Sequence, residues 1–160
     1  MHSIIENAIE LRKSGQYEAS RKLLFSLLSN HEYQAKACLQ IAWAYDNEGK
    51  EQEAITYYES ALTGPLSTTE RFDAIFGLAC TLRSLGRYND ALTYFEQTIS
   101  EYPDAIEVMP FYAMCLYNVG QHQDAISLLL ELLVSTTNSD SIKNYQRAIL
   151  LYSKDLDRQW

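Results

Sequence analysis

Cysteine and histidine are the side chains of this chain that could act as nucleophiles or metal ligands. The cysteines are Cys38, Cys80 and Cys115, and the histidines are His2, His31 and His122. An odd, sparse set of cysteines without CxxC spacing argues against a disulfide framework and against a zinc site. No histidine has a second histidine or cysteine three or four residues away. We interpret the cysteines as small apolar residues of helix packing, and we expect no metal.

Acidic side chains cluster near predicted helix ends, where they are typical of solvated faces and of partners for the helix dipole. The two groups are Glu51, Glu53 and Glu59, and Glu101, Asp104 and Glu107. The chain contains no GxxxxGK[ST], GxGxxG, GxSxG, HExxH or EF-hand sequence. We therefore expect a protein that is not an enzyme and that has no cofactor.

Composition and charge narrow the class of protein further. The chain has 160 residues, of which 47% are hydrophobic and 21% charged, which is typical of one globular domain. Acidic residues outnumber basic ones 21 to 13, so the formal charge is −8. Such a chain has no electrostatic reason to bind phosphate backbones or anionic lipid. We expect neither nucleic acid nor membrane as a partner.

The N-terminal sequence lacks the cationic and apolar regions of a signal peptide. The longest apolar stretches, around Leu128–Leu130 and Leu132–Val134, are far shorter than the roughly 20 residues of a membrane span. A start methionine is present and helix-forming residues follow it at once. We expect a complete, cytoplasmic protein.

A short motif recurs four times, and its glycines are spaced 34, 37 and 34 residues apart. The glycines are Gly15, Gly49, Gly86 and Gly120. Five residues later a small side chain follows each time: Ser20, Ala54, Ala91 and Ala125. Four residues after that comes a large apolar one: Leu24, Tyr58, Phe95 and Leu129. Glycine permits a positive φ and so a chain reversal, and the small residue lets two antiparallel helices approach closely.

Apolar residues recur with helical spacing on both sides of each glycine. Capping boxes are expected at three helix starts, Ser3-x-x-Glu6, Ser67-x-x-Glu70 and the related Asp104-x-x-Glu107. Pro110 lies early in a predicted helix. Either that helix begins near Glu107, where the missing N–H is harmless, or it is kinked at the proline.

These repeats resemble the tetratricopeptide repeat, a helix–turn–helix unit of 34 residues. The resemblance covers about residues 1–139, and repeats two and three carry it best. It departs from the usual pattern at position 4, which holds Ile4, Cys38, Ile75 and Met109 and never tryptophan. It implies a small stand-alone bacterial protein of the kind that binds other proteins.

We therefore predict an all-α fold, an α-solenoid of four helix–turn–helix repeats that coil into a right-handed superhelix. One domain is expected over residues 1–160, with repeats at about 1–34, 35–68, 72–105 and 106–139. A capping helix at about 140–157 is expected to close the stack with one polar face.

The resemblance also implies that the first helix of each repeat lines a concave surface. Mapping the usual ligand-facing positions gives an apolar groove with basic residues at intervals. Its residues are Lys36, Leu39, Trp43, Phe76, Cys80, Arg83, Met114 and Tyr117. Ile5 and Ile9 stand where arrays that hold acidic chaperone tails have lysine and asparagine, which argues against that ligand.

Three readings of this apolar surface stay open. It binds a peptide or helix of a partner protein, as an adaptor or scaffold does. It is self-occupied in a homodimer, which would make the chain a structural module. In the third reading, the array fills the groove with its own side chains, Trp43 among them. Tyr152, Leu156 and Trp160 form a second candidate surface, unless Trp160 lies loosely on the last repeat.

Overall fold

The computed structural model describes residues 2–160 and is built from helices. Over these residues there are ten α-helices and one short 3-10 helix at Ile106–Val108. The α-helices are α1 His2–Lys13, α2 Tyr17–Phe25, α3 Gln34–Asn47, α4 Glu51–Leu62, α5 Thr68–Ser84, α6 Tyr88–Glu101, α7 Met109–Asn118, α8 His122–Thr136, α9 Asp140–Lys143 and α10 Gln146–Ser153. The predicted all-α fold of the α-solenoid type is confirmed.

The four repeated glycines end their helices as expected. Gly15, Gly49, Gly86 and Gly120 have φ values of 80°, 79°, 76° and 86°. At the first turn, the N–H of Gly15 donates to Arg12 O at 3.0 Å and the N–H of Gln16 to Leu11 O at 2.8 Å. This pair of bonds is the Schellman motif, which satisfies the last carbonyls of a helix and reverses the chain.

The small residue five places after each glycine lies at a helix contact. Ser20, Ala54, Ala91 and Ala125 are all buried. Helices α1 and α2, α3 and α4, and α7 and α8 pack together as hairpins. In the first hairpin, Ser20 also donates its hydroxyl to Ala8 O at 2.7 Å, so the buried polar group is satisfied.

The chain divides into two compact units, and the boundary between them falls within the sequence of α6. The first extends to Tyr94 and the second covers Phe95–Trp160. In the first unit, α2 packs on α3, α4 on α5, and α3 on both α1 and α5. Its core includes Ala8 and Leu24 from the first hairpin, packed with Ala37 and Ile41 of α3. The single domain and the repeat boundaries stay predictions.

A partly buried polar network joins three helices of the first unit. Tyr58 of α4 donates its hydroxyl to the Asp46 carboxylate of α3. Thr81 of α5 lies 2.9 Å from the same carboxylate oxygen and 2.8 Å from Gly77 O. The Tyr58 ring lies so close to Gly77 that a Cβ there would fall 2.9 Å from the ring. Glycine is therefore needed at position 77 for this close approach.

In the second unit, α7 packs on α8, and α10 packs on α8 as well. The Phe95 and Tyr112 rings lie 6.5 Å apart within its core. Pro110 occupies the first turn of α7, which begins at Met109 after the 3-10 helix. The first of the two alternatives for this proline is thus correct, and its missing N–H leaves no intrahelical bond unmade.

The C-terminal segment and two of the three expected caps differ from the prediction. The segment forms two short helices, α9 and α10, and not one. Between them the N–H of Tyr145 bonds to Ile142 O, three residues earlier, at 3.0 Å, as in a 3-10 turn. The Ser67 capping box is present. Ser3 lies inside α1, which begins at His2, and Asp104 caps no helix with its side chain.

Within residues 2–160, no helix combines the length and apolarity that a membrane crossing requires.

Candidate protein-interaction surface

Six of the eight predicted surface residues lie on two neighbouring helices of the first unit. Helix α3 carries Lys36, Leu39 and Trp43, and α5 carries Phe76, Cys80 and Arg83. Five of them are half-buried and so present part of their side chains to solvent. Leu39 is only 1% exposed and belongs to the core. The expectation that Leu39 faces a ligand is therefore wrong, because its side chain is used in packing.

Trp43 lies beneath a cation from the neighbouring helix α1. The Arg12 guanidinium carbon is 5.1 Å from the centroid of the Trp43 ring. Its Nη1 donates to Asn47 Oδ1 at 3.1 Å, which holds the guanidinium in place. Burial lowers the pKa of Arg12, yet an arginine stays protonated in a protein. Arg12 and Trp43 therefore form a fixed cation–π pair on the α1–α3 side of the surface.

The α5 side is aromatic and carries both signs of charge. Phe76 packs with Phe72 at a ring distance of 5.6 Å. Lys36 of α3 pairs with Glu70 of α5 at 3.8 Å. Burial raises the pKa of Asp73, and the Glu70 charge raises it further. The surface of the first unit thus offers apolar area together with charged groups that set orientation.

The remaining two predicted residues, Met114 and Tyr117, lie on α7 in the second unit. Both are exposed, and Tyr117 is 62% exposed. The Tyr117 ring stacks on His122 at 4.7 Å, across the turn between α7 and α8. At the C-terminus, Trp160 contacts Tyr152 at a ring distance of 5.7 Å, and Arg158 covers the Trp160 ring at 4.0 Å.

A buried arginine in the first unit was not predicted. Arg21 pairs with Glu48 at 2.7 Å and lies 4.1 Å from the centroid of the Tyr45 ring. Tyr45 in turn stacks on Tyr57 at 5.6 Å. The hydrogen bond from Arg21 lowers the pKa of Glu48. An arginine three residues before Leu24, on the apolar face of α2, is the signal in the sequence that could have revealed it.

An open cleft of about 560 Å³ lies beside this arginine. Its lining residues are Glu18, Arg21, Lys22, Phe25, Tyr45, Lys50 and Glu53. Three cations and two carboxylates share one open, solvated wall. This mixture selects no particular charged ligand.

Two observations bear on metal binding and on thiol chemistry. Among residues 2–160, no group of three or more histidine, cysteine or acidic side chains is arranged to hold a metal ion. Burial raises the pKa of the Cys38 thiol, which disfavours the reactive thiolate. The helices instead provide an extended surface along neighbouring helical hairpins.

A stack of helical hairpins with a partly exposed apolar face is the architecture of a helical-repeat protein. The profile of the tetratrico peptide repeat family matches residues 35–156, and the chain belongs to that family. Repeats of this family generally mediate protein–protein interaction, and its members are typically non-enzymatic.

Solved structures agree with the fold. The nearly identical TPR-like repeats assigned to a kinesin light chain of Podosopora anserina superpose with a TM-score of 0.70 at 18% identity, covering 99% of this chain and 97% of that chain. A single-substitution variant of the same protein gives a TM-score of 0.70 at 19% identity, covering 98% and 87%. At these identities the likeness concerns the fold alone. No curated protein matches the sequence.

Proposed function

We propose that this chain is a non-enzymatic adaptor that binds a peptide or helix of a partner protein on the α3–α5 face of its first unit. The contact residues are Lys36, Trp43, Phe76, Cys80 and Arg83. Met114 and Tyr117, on α7, are proposed as contacts that the second unit offers by itself. Leu39 is left out because it is buried.

The observation that carries the proposal is the fixed Trp43 ring. Its partner Arg12 is held by Asn47, so the indole loses little further freedom when a ligand packs on it. Tryptophan and arginine are the side chains most often responsible for binding energy at interfaces. Phe76 supplies a second aromatic surface on the neighbouring helix.

The charges on this face suggest the chemistry of the partner. Arg12 bonds to the neutral side chain of Asn47, whereas Lys36 already pairs with Glu70, and Asp73 adds a second carboxyl to this face. A segment that combines large apolar side chains with one carboxylate for Arg12 would match this face. We expect such a segment to bind more weakly as the salt concentration rises.

Selection from a displayed library of random 12-residue peptides tests this function. The bait is the wild-type chain, and the double variant Trp43→Ala with Phe76→Ala serves as the counter-bait. Leu23→Ala with Phe25→Ala, at two exposed positions of α2, is the matched control. We expect apolar peptides with acidic residues that bind the wild type and the control but not the Trp43/Phe76 variant.

Nuclear magnetic resonance then locates the bound peptide. The chain has two tryptophans, Trp43 and Trp160, so only two indole N–H signals are present, and Trp160→Phe assigns them. A selected peptide is expected to shift the Trp43 signal and leave that of Trp160 in place. Equal selection by the double variant, or an unmoved Trp43 signal, would move the binding site elsewhere.

A further inference from the structure

Helix α8 carries a stripe of three large apolar side chains that point to solvent. Ile126, Leu129 and Leu133 are 49%, 42% and 43% exposed. Their spacing of three and four residues places them along one side of the helix. The two charged residues of α8, Asp124 and Glu131, fall on the opposite side. The stripe is therefore apolar over its whole length.

The repeat register shows what this side of a helix does elsewhere in the chain. Leu24, Tyr58 and Phe95 occupy the same place as Leu129, nine residues after the turn glycine, and each is at most 1% exposed. Leu24 is covered by Ala37 and Ile41 of the following hairpin. Tyr58 is covered in the same way by Gly77 and Thr81. The α8 stripe is thus a stacking face that is left open, although α10 packs on α8.

Helix α1 of a second copy is poorly suited to cover this stripe. Four residues of α1 stand at the corresponding register positions. Ser3 and Asn7 correspond to Ala37 and Ile41. Glu6 and Glu10 correspond to Gly77 and Thr81. All four are polar and exposed. Head-to-tail stacking would bury two carboxylates against leucine and isoleucine, which is strongly unfavourable.

The stripe is instead complementary to itself. If two α8 helices pack antiparallel about a point between Leu129 and Leu130, Ile126 of each faces Leu133 of the other. No charge lies at the centre of such a pair. We propose that α8 is the interface of a symmetric homodimer, in which each copy covers the open stacking face of the other. The proposed dimer uses residues of α8, whereas the proposed peptide contacts lie on α3, α5 and α7, so either proposal can fail alone.

The C-terminal tail adds apolar surface near the same helix. Gln123, in the first turn of α8, donates to the Asp157 carboxylate and holds the tail beside it. The tail carries Leu156 and Trp160, both exposed. Three side chains on one helix make a small interface, so we expect a reversible dimer to which Trp160 contributes.

Sedimentation equilibrium over about 1 μM to 1 mM protein tests the dimer. We expect a monomer–dimer equilibrium for the wild type and a monomer at every concentration for Leu129→Glu. The matched control is Leu23→Glu, a similarly exposed leucine on α2, which is expected to dimerise as the wild type does. Circular dichroism verifies that both variants are folded. A wild type that stays monomeric, a Leu129→Glu dimer, or growth beyond the dimer would each overturn the proposal.

Cysteine cross-linking tests the antiparallel register independently of Leu129→Glu. In the proposed pair, two copies of Ile126 lie seven residues apart along the helix axis, or about 10 Å, which is too far for a disulfide. In a Cys80→Ser background, Ile126→Cys mixed with Leu133→Cys is expected to form a disulfide-linked dimer on oxidation. Neither variant alone is expected to do so. Cross-linking of Ile126→Cys with itself would indicate a parallel pair and contradict the proposal.

Discussion

Tyr58 in the first unit and Leu129 in the second hold the same place in their repeats, yet their surroundings differ. Tyr58 is buried over Gly77 and hydrogen-bonded to Asp46, whose carboxylate also meets Thr81. The Leu129 side chain has no polar atom that needs a hydrogen-bond partner, and it is 42% exposed. The same helical position therefore closes a stack at Tyr58 and offers an open face at Leu129.

This difference shows how one fold yields both a rigid core and a binding face. A tyrosine fills the space between hairpins and also fixes its partner through a directional hydrogen bond. A leucine contributes apolar area without selecting an orientation. At this one register position, tyrosine thus gives specific packing within the chain, and leucine gives adaptable packing between chains.

Truncation of the two residues should give the largest contrast. We expect Tyr58→Ala to lower the free energy of unfolding by about 3–5 kcal/mol, as for other large buried aromatic residues. Leu129→Ala should lower it by less than about 1 kcal/mol at a protein concentration where the chain is monomeric, because less area leaves water on folding. Urea unfolding followed by circular dichroism measures both. Equal losses would show that the Leu129 face is covered in the monomer.

Removal of the Tyr58 hydroxyl alone should have a smaller effect. In Tyr58→Phe the ring keeps its place over Gly77, but Asp46 loses one of its two donors. We expect a loss of about 1–2 kcal/mol from the free energy of unfolding. Tyr145→Phe, at an exposed ring, is the control and should stay within about 0.5 kcal/mol of the wild type. A Tyr58→Phe protein as stable as this control would mean that the network is not stabilising.

Substitutions at two predicted helix caps, Ser67 and Asp104, should have the next largest effects on stability. Only Ser67 forms its cap in the structure. Ser67 accepts from the N–H of Glu70 at 3.2 Å, and Ser67→Ala should lose about 1 kcal/mol. Asp104 caps no helix with its side chain, so Asp104→Ala should change stability by less than about 0.5 kcal/mol. Thermal or urea unfolding of the two variants compares them directly. A larger loss for Asp104→Ala would show that this side chain caps α7 in solution.

Much of the fold follows from features that one repeat displays on its own. Gly49 and Ala54 specify a chain reversal and a close helix contact through local chemistry, so spacing alone revealed the hairpin. The capping predictions for Ser3 and Asp104 were wrong because a capping box also requires a helix that starts at the right residue. In α1 the helix already includes His2, and at Asp104 a 3-10 turn comes first.

The candidate site was harder to predict, because exposure depends on neighbours outside the repeat. Leu39 and Trp43 lie four residues apart on one helix, and the sequence pattern does not distinguish them. Packing buries Leu39, whereas Trp43 stays partly open beneath Arg12. The open stripe at Leu129 was missed for a related reason, since its register position is buried in every earlier repeat.

The pH dependence of stability at Asp46 is the smallest effect that we expect to resolve. Burial raises the pKa of this carboxyl despite the hydrogen bonds from Tyr58 and Thr81. Its contribution to stability is therefore full below the unfolded pKa and is lost as the pH rises through the folded pKa. In Asp46→Asn the amide oxygen can still accept from Tyr58, and its NH₂ group can donate to Thr81.

Asp46→Asn should then be slightly more stable than the wild type at pH 7, and the advantage should shrink as the pH falls toward 4. Glu48, whose pKa Arg21 lowers, loses its contribution in acid in both proteins, so it cancels in the difference. Urea unfolding of both chains at pH 7, 5.5 and 4 measures that difference. If it stayed constant across this range, the Asp46 carboxyl would titrate alike in the folded and unfolded chains, and burial would not set its pKa.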